Sequence, residues 1–338
     1  MNEPRAARRQ APPTGVIETL SAGYAAVNRQ LWVLLLPVLL DVFLWLGPHV
    51  SYAPLVDPAV ARATEWARQV TLGPRRGPRA PAAPGVANDL ESARVWLIER
   101  TDEVNGLAAL AWGPIALPAL ANVPNTSDEL ALVTGWPDGV TLLVACLGLS
   151  LLLGGWFYGG LAAASTGAGG GPLVAGRGTP RAVLDVLGLV AVLVATGLLL
   201  GVPVVLLIGF TALVAPPVAV LGGLLVLAGV LFAVVHLFFA VDAIFVSRAG
   251  PLAAIQRSVG LVRQHPRPSM GLIALSWLIL AGMARVWDVL GNAVQSPYGV
   301  ALGILGNAYI ASGIIAAGMI FYTQRTAAAS ATGDGVPT

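Results

Sequence analysis

The sequence predicts an all-α, polytopic membrane helix bundle of about six transmembrane helices. Both termini are expected to be cytoplasmic, with amphipathic helices at the inner leaflet and a small helical extracytoplasmic segment. Three observations predict it. The 338-residue chain is 56% hydrophobic and 11% charged, with a mean hydropathy of +0.78, whereas a soluble domain is about 25% charged. Six stretches approach or exceed the ~20 apolar residues that a bilayer crossing needs. Outside the long segment 50–137, whose length exempts it from the rule, the arginines gather in alternate connections between those stretches, as the positive-inside rule requires.

Residues 1–30 form a cytoplasmic tail carrying Arg5, Arg8, Arg9 and Arg29, and from Thr14 they read as a juxtamembrane amphipathic helix. Val16, Ile17, Leu20, Tyr24 and Val27 recur there at helical spacing. The first span is 31–49. It is read as retained rather than as a signal peptide, because cleavage after Ala53 would leave Pro54 first. Residues 50–137 are the extracytoplasmic segment, with helical stretches near 57–72 and 88–111. Between them lies the Pro/Gly/Arg linker 73–86, and Asn88 with Glu91 fits a capping box. A third short helix is expected from Ser127.

The second span, 138–162, leads to a Gly-rich cytoplasmic loop, 163–182, holding Arg177 and Arg181. Residues 186–247 are almost unbroken apolar sequence, roughly three bilayer cores long at 1.5 Å per residue. Such a run must fold back, and the reversal belongs at Pro216–Pro217, giving a third span at 183–209 and a fourth at 218–246. A cytoplasmic amphipathic helix at 247–268 follows, then the fifth span at 269–290, the sixth at 299–322 and a tail at 323–338. Trp32, Trp156, Tyr158 and Tyr322 fall at the predicted inner edge, and Trp45, Trp136, Trp287 and Tyr298 at the outer. Gly155/Gly159, Gly197/Gly201 and Gly299/Gly303 are spaced for close helix packing within the bundle.

Composition also removes several chemistries. All 19 basic residues are arginine, so lysine-based catalysis is excluded, and the single cysteine, Cys146, can build neither a disulfide nor a cysteine metal site. No Ser/His/Asp arrangement or paired carboxylates can be read, and neither a cofactor nor nucleic acid is expected at a net charge of +2. "GPLVAGRGT" approaches a phosphate-binding loop. It has Arg177 in place of the lysine and an extra Gly178, and it reads as a linker.

The functional pointers are polar residues inside spans, each costly to leave unpaired. Asp41, His236, Arg285 and Asp288 form a candidate intramembrane polar site, in which Arg285 pairs with Asp288 three residues on or reaches Asp41 across the bundle. Asp185 and Asp242 lie at the inner interface, within reach of water. Arg248, Arg257, Arg263 and Arg267 are candidate contacts for anionic lipid headgroups, on a helix whose apolar positions are Leu252, Ile255, Val259 and Val262.

"AGPLAAIQRSVGLVRQHPR", after the aromatic-rich "FFAVDAIFV", resembles the inner-loop pattern of the glycerophosphoryl diester phosphodiesterase membrane-domain-like proteins and related six-span bacterial families. Ala254, Ile255, Arg257, Ser258, Leu261, Val262 and Arg263 carry the likeness, which extends over roughly 140–325. It implies a helical membrane module, joined in some members to a soluble phosphodiesterase domain. The His-Arg-Gly start of that domain is missing here and its activity is not expected. The reading that follows is a non-catalytic accessory or organising protein of the bacterial inner membrane, in contact with anionic lipid and with another membrane or envelope protein. The alternative is a small-solute transporter or permease subunit with a midplane polar site, for which Pro37 and Pro203 are the hints of broken helices.

Overall fold

A computed structural model describes residues 15–72, 105–120, 133–167, 178–294 and 297–332, with a few further positions in 91–98 and 171–176. Every regular element among them is helical. Among the described residues, five helices are long and apolar enough to cross a membrane, and a bent pair at the N-terminal end makes a sixth if counted as one span. The N-terminal tail, the linker 73–86, the capping box at Asn88, the helix expected from Ser127, Arg177 and the end of the C-terminal tail lie outside the described residues. The chain divides into two units, residues 1–37 with 151–338, and residues 38–150.

The larger unit begins with α1 (Val16–Arg29). The chain turns by 90° at Gln30 into a 3-10 turn (Leu31–Leu34), and α2 (Leu35–Leu46) follows. Helix α4 (Trp136–Thr166) runs into this unit, and α5 (Thr179–Thr196), a π turn (Gly197–Gly201) and α6 (Val202–Val214) together make one long apolar rod. Pro203 cannot donate to the carbonyl four residues back. The wider π turn immediately before it lets the rod pass the proline without a break. Ala215 leaves helical geometry at φ −144° and ψ 77°, and Pro216 opens α7 (Pro216–Leu237), so the two prolines reverse the chain.

From Leu193 to Val234 most large side chains of this hairpin are exposed, as befits surface that faces lipid. The core of the unit lies at the opposite, arginine-bearing end. Phe157, Leu161, Phe239, Ile244, Met319, Phe321 and Tyr322 are fully buried there, and Phe239 stacks on Phe321 at 5.3 Å.

Helix α8 (Ala240–Ser247) continues the direction of α7 after a break at Phe238–Phe239. It is followed by α9 (Pro251–Gln264), α10 (Pro266–Val294) and α11 (Pro297–Thr332). Small residues set the packing of both amphipathic helices. Helix α1 buries Thr19, Leu20, Gly23, Ala26 and Val27 and leaves Ile17 74% exposed. Gly23 lies so near the Gly313 carbonyl and Ala317 that no Cβ would fit, and Tyr24 lies over Gly313 beside Tyr309. Helix α1 is therefore packed across α11 rather than resting on lipid alone. Helix α9 likewise buries Ala254, Ser258, Leu261 and Val262 and exposes Leu252.

The unit 38–150 holds most of α2, α3 (Ala53–Leu72) and the start of α4. The expected helix 88–111 does not reach its predicted end. Asn105 is extended and caps a 3-10 helix over Gly106–Leu110, and irregular backbone continues to Leu120. Asn105 acts as a clamp. Its Oδ1 accepts from Val50 and Leu107 N–H at 3.2 and 3.0 Å, its amide donates to Pro48 O at 3.0 Å, and Gly106 N–H donates to Val50 O at 2.7 Å. The Tyr52 ring occupies the place a Gly106 side chain would need. Arg94 ties the helical positions of 91–98 to α3 through Asp57 at 2.7 Å, and that carboxylate, with Glu91, raises the arginine above its ordinary range.

Candidate functional site

The densest polar construction is built around the break between α7 and α8. The break frees backbone groups that a membrane helix must otherwise satisfy internally. Ser258 of α9 meets two of them. Its hydroxyl donates to His236 O at 2.6 Å and accepts from Phe239 N–H at 3.2 Å. Ser258 is fully buried, so one side chain repairs the span and fixes α9 against it.

A second network lies beside it. Ser247 donates to Ala243 O at 2.8 Å. With its only proton spent there, its Oγ accepts from Arg257 Nη1 at 2.9 Å and from Tyr322 O–H at 2.8 Å. Tyr322 is 1% exposed and serves as a core hydrogen-bonding residue instead of an interfacial anchor. Asp242, expected within reach of water, is buried, and its carboxylate lies where a Cβ on Gly318 would come within 3.0 Å of Oδ2.

The four candidate lipid-contacting arginines thus divide. Arg257 is held on Ser247. Arg263 and Arg267 are exposed at the end of α9 and the start of α10. Arg248 caps α8 in the left-handed conformation, φ 50° and ψ 38°. His265 ends α9 near Arg325. Burial, and then the Arg325 charge, hold its imidazole below the usual histidine range.

The candidate intramembrane residues occupy separate settings. Asp41 is fully buried. Its Oδ1 accepts from Leu120 N–H at 3.0 Å, and its Oδ2 has no hydrogen-bond partner among the described residues. This places the Asp41 carboxylate against the irregular backbone at Leu120. His236 stacks on Phe232 at 3.8 Å, and its Nδ1 lies 2.8 Å from Phe232 O. A carbonyl can only accept, so Nδ1 carries the proton. Arg285 is exposed on α10, and the side chain of Asp288 lies outside the described residues. No group of three His, Cys, Asp or Glu able to hold a metal occurs among the described residues.

Asn105 is missing from the residues that the sequence singles out, and Ser258 enters there only as part of the family likeness, without a structural role. The signal for Ser258 was its place four residues after Ala254, a small-residue face that a search for large aliphatics passes over. For 105–120 it was the absence of any charge over Gly106–Leu120, which is unusual for a water-exposed loop. No family model, no curated protein and no solved structure matches the chain.

Proposed function

We propose that this chain is a non-catalytic integral protein of the bacterial cytoplasmic membrane. It acts as an accessory or organising component through its arginine-bearing end, whose cytoplasmic location the positive-inside rule supports. The observation that carries the reading is the setting of α9. Ser258 and Ala254 fasten one face of the helix into the bundle, while Leu252, Arg263 and Arg267 stay exposed. Exposed cations beside an exposed aliphatic suit anionic headgroups and a partner docked at the membrane surface. Among the polar side chains drawn into the protein, Ser258 and Asp41 engage backbone groups of their own chain, as the half-buried Asn105 also does. That is the work of a scaffold. The likeness of 140–325 to the membrane-domain-like proteins belongs to the same proposal.

Photo-crosslinking in intact cells from position 252 or 263 tests it. A discrete adduct with one membrane or envelope protein, diminished by the double change Arg263→Gln and Arg267→Gln, is the expected result. Absence of any adduct, together with solute flux through vesicles containing the purified protein, would overturn the reading in favour of transport.

A further inference from the structure

The unit 38–150 buries a carboxylate with no cation to meet it. Asp41 is the only charged residue of α2, Gly106–Leu120 contains none, and α4 has none after Asp138. The other titratable groups on these three elements are Asp138, Cys146 and Tyr158 of α4, and none of them is a cation. Asp41 is fully buried. Its Oδ1 accepts from Leu120 N–H at 3.0 Å, and its Oδ2 reaches no partner among the described residues. An ionised carboxylate is tolerated away from water where an arginine pairs with it or where several N–H groups point at it. A single N–H falls short of that.

The segment that Asp41 touches is itself buried. Leu107, Leu110, Ala111, Ile115 and Leu117 are shielded from solvent, and Leu117 N–H donates to Ala111 O at 2.9 Å, folding the segment on itself. Ser150, near the middle of α4, occupies the place that a Gly113 side chain would need, and its Oγ is also buried without a partner among the described residues. Helix α4 is long and apolar enough to cross a membrane. Irregular backbone beside such a helix is tolerated where protein covers it or where its polar groups line a site.

The counter-charge for Asp41 must then come from outside the chain, and charge balance sets its size. One carboxylate balances one positive charge, whereas a calcium ion takes about six to eight oxygens, several of them from carboxylates. No group of three His, Cys, Asp or Glu able to hold a metal occurs among the described residues. We infer that Asp41 Oδ2 binds a single monovalent positive charge from solution, a proton or an alkali cation, which fastens the backbone at Leu120 to α2. With a proton, Oδ2 becomes a hydroxyl and Oδ1 stays the acceptor for Leu120 N–H. With an alkali cation, the further oxygen ligands come from irregular backbone, as they do for sodium in membrane proteins with unwound segments. This site is independent of the docking role proposed for the arginine-bearing end, and the loss of either leaves the other standing.

The test uses the purified full chain in uncharged detergent at neutral pH. Infrared spectra of wild type and Asp41→Asn are compared for the carbonyl band of a protonated carboxyl, and unfolding temperatures are compared in sodium chloride and in choline chloride at equal ionic strength. A carboxyl band that disappears in Asp41→Asn supports the site with a proton as its occupant. A higher unfolding temperature in sodium than in choline, lost in Asp41→Asn, supports it with an alkali cation. Glu65→Gln, which removes an exposed acid of the same unit, should leave both signals in place. If neither signal occurs, or if whichever occurs persists undiminished in Asp41→Asn, the site is overturned. Should Asp41→Asn fail to fold, Asp41→Glu decides, because a band or a sodium dependence that it leaves unmoved does not belong to residue 41.

Discussion

Ser258, Asp41 and His265 show what single residues do in this chain. Ser258→Ala removes the side chain that reaches both His236 O and Phe239 N–H. The expected cost is about 1–3 kcal/mol, the penalty of leaving buried backbone groups unmet, read as a loss of unfolding free energy in detergent. Asp41 is an acceptor for Leu120 N–H, and an asparagine oxygen can serve as well. Asp41→Asn should therefore cost less than about 1 kcal/mol and Asp41→Leu about 1–3 kcal/mol. Equal losses in the two variants would mean that the carboxylate's charge, and not its acceptor, matters. His265 titrates below the usual histidine range, so the folded state favours the neutral ring. Stability from this group is full above the unfolded pKa of about 6.5, and it declines as pH falls below that value, because the unfolded chain protonates first. Unfolding temperatures between about pH 7.5 and 5 should fall less steeply in His265→Gln.

At the scale of elements, the two amphipathic helices were legible in the sequence and their buried faces were only partly so. The stripes Val16, Ile17, Leu20, Tyr24, Val27 and Leu252, Ile255, Val259, Val262 follow large side chains, as in a water-soluble bundle. The structure instead turns Gly23, Ala26, Ala254 and Ser258 inward and leaves Ile17 and Leu252 exposed. The physical reason is the solvent. Lipid does not drive aliphatics together, so close approach between helices is won by small residues, and large aliphatics cost nothing on the outside. Gly23 is the sharpest case. Gly23→Val would push α1 off Gly313 and Ala317, with an expected loss of about 1–3 kcal/mol from overpacking. Circular dichroism should show the helix content retained while the N-terminal region becomes open to protease. The π turn at Gly197–Gly201 was unreadable for a different reason. Pro203 announces a perturbation, but the sequence alone does not say whether the helix breaks or widens to absorb it.

For the whole molecule, orientation is the property most open to direct test. Cys146 is buried and is the only cysteine, so Cys146→Ser gives a silent background. With Arg263→Cys the protein should resist a membrane-impermeant maleimide in intact cells, and with Val214→Cys it should react. The opposite pattern would invert the topology and move the arginine-bearing end outside. Apolar run length and the prolines at 216 and 217 determined the helical class and the reversal after Val214. These are local properties, set by bilayer thickness and by the chemistry of a residue that lacks an N–H. Tertiary structure alone decided which face of each helix is buried and that Ser258 mends a broken span nineteen residues earlier in the chain. It also decided that Asn105 returns to Pro48 and that the Arg248 guanidinium meets the start of α5. Each of these joins residues distant in sequence, and periodicity has no means of pairing them.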